Sequence, residues 1–294
     1  MKELAIISGK GGTGKTSVTA SFAALAESKV MADCDVDAAD LHLILEPEIQ
    51  HREEFYGGKT ASIRKEVCTQ CGRCIEVCRF AAISDDFVVD PISCEGCGVC
   101  VYFCPEDAVD FKENLCGEWF VSKTRFGPLV HARLGVAEEN SGKLVTVVRR
   151  NAKLIAEKEG KDLIIVDGAP GIGCPVISSI TGADGVLVVT EPTLSGVHDL
   201  ERVVRLAAHF NIKTLVCVNK FDLNREISHS IEEYCGRNGL RFVGRIPYDT
   251  VVTKAMIHRR SIVEYSDGAV AQSVRTMWEN VSDALMDTEG SHSS

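Results

Sequence analysis

A short apolar run at residues 4–8 leads directly into Gly9-Lys10-Gly11-Gly12-Thr13-Gly14-Lys15-Thr16, and residues 16–27 then carry apolar side chains at helical spacing. Strand, glycine loop and helix in that order constrain the fold strongly, because a strand followed by a helix returns to its sheet as a right-handed crossover. The alternation continues: residues 30–34, 163–166, 186–190, 215–218 and 242–246 read as buried strands, and 151–159, 196–210 and 227–237 as helices between them. Near-continuous apolar strands separated by helices predict an α/β fold with a mostly parallel sheet covered on both faces. The rhythm breaks after about residue 57 and resumes near 151. A cysteine cluster and a polar, hairpin-like stretch at 119–148 fill the gap, so an insertion is expected there.

The glycine string fits G-x-x-x-x-G-K-[ST] in the context that gives this pattern meaning. Backbone N–H groups of Gly9 to Gly14 can turn inward around phosphate oxygens, and the following helix N-terminus adds partial positive charge. Lys15 then reaches the β and γ phosphates, Thr16 can ligate magnesium, and Ser17 follows in the first helical turn. Lys10 is a second lysine that an ordinary phosphate loop does not need; it serves either its own phosphates or another site. Asp33 and Asp35 close the second strand and Asp167 closes the run 163–166, which brings carboxylates to the sheet edge where ligands bind. They are expected around magnesium, with helix capping as the alternative for Asp167. Asn219-Lys220-Phe221-Asp222 fits the N-K-x-D pattern for guanine, which leaves GTP open beside ATP.

Thirteen cysteines are present, and eight of them fall between Cys68 and Cys104. Cys68, Cys71, Cys74 and Cys78 form C-x2-C-x2-C-x3-C, and Cys94, Cys97, Cys100 and Cys104 repeat that spacing 26 residues later, so the segment is internally duplicated. Crowded thiolates need metal charge to offset their repulsion. Zinc is the alternative to iron, but zinc sites usually draw two cysteines from each of two separated pairs. Pro105 follows the fourth cysteine of the second motif, and Arg79 stands at the matching place after the first. Cys174 is expected at a helix start as a small buried residue, and Cys34, Cys116, Cys217 and Cys235 lack any site spacing.

With 42 acidic against 32 basic residues the net charge is −10, which argues against nucleic acid as a main partner. No apolar run approaches the roughly 18 residues of a spanning helix, and residues 4–7 are too brief for a signal-peptide core. A cytoplasmic chain without a membrane anchor is expected, with a frayed polar tail at 288–294.

The glycine string with its extra lysine resembles the deviant Walker A loop of the MinD/ParA/nitrogenase iron protein superfamily of P-loop ATPases. The resemblance implies an ATP-sandwich homodimer in which Lys10 reaches the partner's nucleotide, with Lys10, Lys15 and Asp35 as catalytic residues. It further implies that Asp35 orients the attacking water, that Thr16, Asp33, Asp35 and Asp167 surround Mg2+, and that Asn219, Pro247 and Asp249 contact an adenine. The cysteine repeat resembles a bacterial two-cluster ferredoxin, in which each motif gives its last cysteine to the other cluster. That resemblance implies one 4Fe-4S cluster on Cys68, Cys71, Cys74 and Cys104 and another on Cys78, Cys94, Cys97 and Cys100. In the nitrogenase iron protein a cysteine at the offset of Cys174 ligates a cluster, but its required companion has no counterpart here. Together the motifs resemble MinD-superfamily P-loop ATPases with an inserted α+β two-cluster ferredoxin module, and the likeness runs to about Asp287. The expected division is 1–58 and 114–294 for the ATPase and 59–113 for the insert. ATP-gated electron transfer to a partner redox protein, or maturation of its metallocluster, is the expected function. A cluster scaffold or carrier, and a MinD-like positioning protein with structural or redox-sensing clusters, are the alternatives.

Overall fold

The computed structural model describes residues 1–135 and 141–287. In chain order the elements are β1 (Lys2–Ser8), α1 (Lys15–Leu25), β2 (Lys29–Asp33), α2 (Leu41–Leu45), β3 (Glu48–Ile63), α3 (Arg73–Val77), α4 (Val99–Tyr102), β4 (Val109–Thr124) and β5 (Gly127–Leu134). There follow α5 (Ser141–Glu159), β6 (Leu163–Pro170), α6 (Cys174–Ile180), β7 (Gly185–Thr190), α7 (Leu194–His209), β8 (Lys213–Asn219), α8 (Arg225–Arg237), β9 (Arg241–Ile246), α9 (Val251–Ile257), α10 (Ile262–Tyr265) and α11 (Ala269–Met286). The strands form one sheet in the order β3-β4-β5-β2-β6-β1-β7-β8-β9. From β5 to β9 all pairings are parallel.

Side chains alternate across this sheet, so each strand serves two layers. Leu4, Ile6, Leu187, Val189, Leu215 and Cys217 pack against Val18 and Phe22 of α1 and against α10 and α11. Ala5, Ile7, Val186, Val188, Val216 and Val218 are equally buried with opposite parity, and α5, α6, α7 and α8 cover that face. Phe22 also meets the Trp278 ring at 4.8 Å between centroids, and burial of such a side chain contributes about 1.5–3 kcal/mol.

Two boundaries differ from the sequence reading. The strand read at 163–166 continues through Asp167 to Pro170, because its backbone stays paired with β1 beyond the apolar stretch. The hairpin-like stretch read over 119–148 ends at Leu134, and the helix read from 151 begins at Ser141. Leu144, Val145, Val148, Ala152 and Ala156 form its buried stripe, a 3.6-residue period that the apolar Val147, Leu154 and Ile155 off the stripe obscure in sequence. The tail read as frayed at 288–294 lies outside the described residues.

The chain forms two compact units: Met1–Glu53, Trp119–Arg133 and Ser141–Ser294 make one, and Glu54–Glu118 with the segment beginning at Leu134 makes the other. Within the second unit the duplication is written into the backbone. Gln70, Gly72 and Ala81 have φ of 56°, 80° and 50°, and their counterparts Gly96, Gly98 and Asp107 have 60°, 72° and 50°. Short helices α3 and α4 each start after the second of these positions. Arg64 N–H donates to Ala108 O at 2.8 Å, and Asp90 N–H to Ala82 O at 2.7 Å. Each bond crosses between the halves with its ends exchanged, the pattern of a local twofold.

Candidate functional site

Parallel register brings the ends of β1, β2, β6, β8 and β9 to one edge, with Asp33 directly opposite Asp167 and Asp167 opposite Ile6. Beyond that edge the loop from Gly9 to Gly14 connects β1 to α1. Gly12 and Gly14 take φ of 78° and 88°, a left-handed backbone that turns consecutive N–H groups inward. Asn219 Nδ2 donates to Thr13 O at 2.8 Å and braces the loop from β8.

A cavity of about 400 Å3 opens over this loop. Of the residues expected at a nucleotide, Gly11, Gly12, Thr13, Gly14, Lys15, Thr16, Ser17, Asp35, Asn219, Pro247 and Asp249 line it. Gly9 and Lys10 do not, and Asp33 and Asp167 lie buried beneath it. Lys220, Tyr248, Val252, Thr253 and Met256 also line the cavity. The three from α9 carry no motif, and only the fold brings them to the phosphate loop.

Lys15 Nζ lies 3.0 Å from Asp167 Oδ1 and 3.2 Å from Asp35 Oδ2. Burial acts to lower its pKa, but the Asp167 and Asp35 carboxylates outweigh that and hold it above the usual lysine range. Thr16 and Thr19 hydroxyls both donate to Asp167, at 2.9 and 2.8 Å. Burial, reinforced by neighbouring carboxylates, raises Asp35 and pushes Asp33 well above the ordinary carboxyl range. Asp33 Oδ2 and the Thr13 hydroxyl are buried without a hydrogen-bond partner. Three acids against one ammonium, with an orphaned carboxylate oxygen, fit a site that accepts a divalent cation; these hard oxygen donors suit Mg2+.

Lys10 is held outside the cavity. Its Nζ is 3.4 Å from Glu191 Oε2 and 3.4 Å from Ser195 Oγ. Glu191 Oε1 also pairs with Lys220 Nζ, which donates to Gly12 O at 3.3 Å. Asp222, the residue that left guanine open, accepts the Tyr248 N–H at 2.7 Å and so pins the turn after β9.

In the second unit, Cys68, Cys71, Cys74 and Cys104 line one hollow, and Cys78, Cys94, Cys97 and Cys100 line another. Both hollows are narrow, with cavity volumes of about 10 and 20 Å3. All eight of these cysteines are free thiols. Cys74 and Cys100, the third of each motif, are buried, and Cys71 and Cys97, the second, are exposed. Among the described residues no three His, Cys, Asp or Glu side chains converge as ligands of a single ion. Of the scattered cysteines, burial pushes Cys217 up to about 12 and Cys235 up to about 11. Cys174 corrects the expectation of a buried thiol: it opens α6 at the surface.

A glycine loop between a parallel strand and a helix, with acids at the adjoining strand ends, defines a P-loop nucleotide-binding protein. Residues 4–262 match the CobQ/CobB/MinD/ParA nucleotide binding domain, and the chain belongs to that family. An uncharacterized protein of Methanocaldococcus jannaschii is 34% identical over 291 residues, spanning 96% of this chain and 97% of its own length. An uncharacterized ATP-binding protein of the same organism is 24% identical over 276 residues, spanning 92% of this chain and 84% of its own. The fold is MinD-like: the septum site-determining protein MinD of Pyrococcus horikoshii, solved with Mg-ADP, matches with a TM-score of 0.59 at 16% identity, covering 98% of this chain and 99% of that one. Among the described residues no helix is long and apolar enough to cross a membrane.

Gly14→Ala tests the loop geometry. A Cβ there would lie 2.3 Å from Asn219 Nδ2, on a backbone with φ of 88°. Left-handed strain of about 1–2 kcal/mol plus displacement of Asn219 should weaken nucleotide binding at least about tenfold. Titration with a fluorescent nucleotide reads this, and an unchanged affinity contradicts it.

Proposed function

We propose that this protein is a cytoplasmic, ATP-hydrolysing iron–sulfur protein in which nucleotide-driven switching of a homodimer is coupled to two 4Fe-4S clusters. The clusters reside in an insert at 59–113, and the output is electron transfer to, or metallocluster maturation of, a partner metalloprotein. One observation carries the reading: a single chain has a phosphate cavity and two four-thiol hollows, each hollow taking three cysteines from one motif and the fourth from the other. That is the crossed ligand set expected of two cubane clusters. Four thiolates on a single zinc ion would converge to Zn–S distances of about 2.3 Å, whereas among the described residues no three of these side chains converge as ligands of one ion. When bound, such clusters supply one-electron storage. Burial raises the Cys74 and Cys100 thiols, so their thiolate forms depend on metal charge.

On the nucleotide side, Lys15 takes the β and γ phosphates by releasing Asp35 and Asp167, and Mg2+ is the counterion that suits the freed acids. Asp35 lines the cavity, which supports its reading as the residue that orients the attacking water. The engagement of Asp222 with Tyr248 N–H favours adenine over guanine. Lys10, occupied outside its own cavity, is consistent with service to a second copy's triphosphate.

Anaerobically reconstituted protein tests the whole. It should hydrolyse ATP in preference to GTP, show reduced-state 4Fe-4S EPR signals, and change cluster potential or electron-transfer rate on ATP addition. Zinc in place of iron, or cluster properties indifferent to nucleotide with candidate partners present, rejects the coupling. Activation of an apo-target by loss of cluster from this protein selects the carrier reading instead.

A further inference from the structure

We propose that Glu191 is a parking carboxylate for Lys10: a positioning residue that withholds this ammonium from the chain's own phosphates and keeps it available to a triphosphate on a second copy. The inference rests on the ATP-sandwich reading above. Lys10 lies between two glycines in the loop, so little in its own segment fixes its side chain. Any unanchored lysine there would move to the nearest phosphates, which are those of its own chain. Glu191 supplies a competing anion. Its side chain is 13% exposed, and its two oxygens bridge Lys10 and Lys220.

The carboxylate is held rigidly. Glu191 O accepts Thr193 N–H at 2.8 Å, and a Cβ on Gly196 would lie 2.3 Å from that same oxygen, so the turn between β7 and α7 closes tightly behind it. Lys220, fastened to Gly12 O, ties the other carboxylate oxygen to the far side of the loop. Glu191 therefore stays in place when Lys10 leaves. Ser195, in the first turn of α7, adds the neutral contact to the Lys10 ammonium.

Glu191→Gln keeps the shape and removes the charge. It should tighten ADP binding about three- to tenfold, as Lys10 falls back onto its own phosphates, and weaken ATP-dependent self-association by a similar factor, the scale of a partly exposed ion pair. Opposite signs set this apart from a loss of folding, which weakens both. In a Lys10→Met background the same substitution should change neither. Calorimetric ADP titration and ATP-dependent sedimentation read the two quantities. The proposal is overturned if both quantities stay unchanged, if both move together, or if ADP still tightens without Lys10, which would route the effect through Lys220. Wild-type protein that binds no nucleotide rejects the functional reading before any variant is compared.

Discussion

Lys15→Met is expected to abolish ATP hydrolysis and also to destabilise the nucleotide-free protein by about 3–5 kcal/mol, the cost of leaving buried charge unpaired. Lys15 is the ammonium facing Asp35 and Asp167, and its side chain is only 6% exposed. With a neutral residue there, three buried acids face one another. The sign of the pH dependence follows. Burial already raises Asp33 and Asp35 above their unfolded values, and loss of Lys15 raises them further. A carboxyl whose folded pKa exceeds its unfolded pKa takes up its proton more readily in the native state, so stability recovers as pH falls through the raised value toward about 4. The deficit of Lys15→Met should therefore be largest near neutral pH and shrink on acidification. Chemical denaturation at several pH values measures it. A deficit independent of pH would show that lost packing, not unpaired charge, is responsible.

If the proposed clusters are present, Cys104→Ser should remove about half of the iron, because it takes one ligand from one of the two. Cys104 belongs by sequence to the second motif and by position to the hollow of Cys68, Cys71 and Cys74. Pairing it with a second substitution makes the assignment decisive. Cys68→Ser with Cys104→Ser should still retain about half of the iron, since both strike one cluster, whereas Cys94→Ser with Cys104→Ser should strip nearly all of it. The reverse result would assign each cluster to one motif. Iron content and reduced-state EPR of anaerobically prepared protein distinguish these outcomes. Cys74 and Cys100 also sit in the apolar core of their unit with Ile83 and Val109, so the single-cluster variants should melt earlier as well.

Local rules made much of this protein legible. The six strands read from apolar runs all appear, and the phosphate loop lies between β1 and α1 as its glycines require. The helical pattern of α5 is legible only from residue 151, because Leu144-Val145-Thr146-Val147-Val148 is rich in β-branched residues that favour strands. The left-handed φ values of Gln70, Ala81 and Asp107 were invisible, since nothing in those side chains demands them. Glu191 escaped notice for a different reason. Of its two lysine partners, Lys10 lies near the start of the chain and Lys220 lies 29 residues after Glu191, and no spacing within a segment encodes such a meeting.

Residue order by itself determined the strand and helix alternation, the phosphate-binding loop and the repeated cysteine spacing, because each depends on neighbours a few positions apart. Only the tertiary structure decided which acid faces Lys15, which cysteine joins which hollow and what holds Lys10. Those pairings depend on sheet register and on the local twofold, through which residues far apart in the chain come within hydrogen-bond reach.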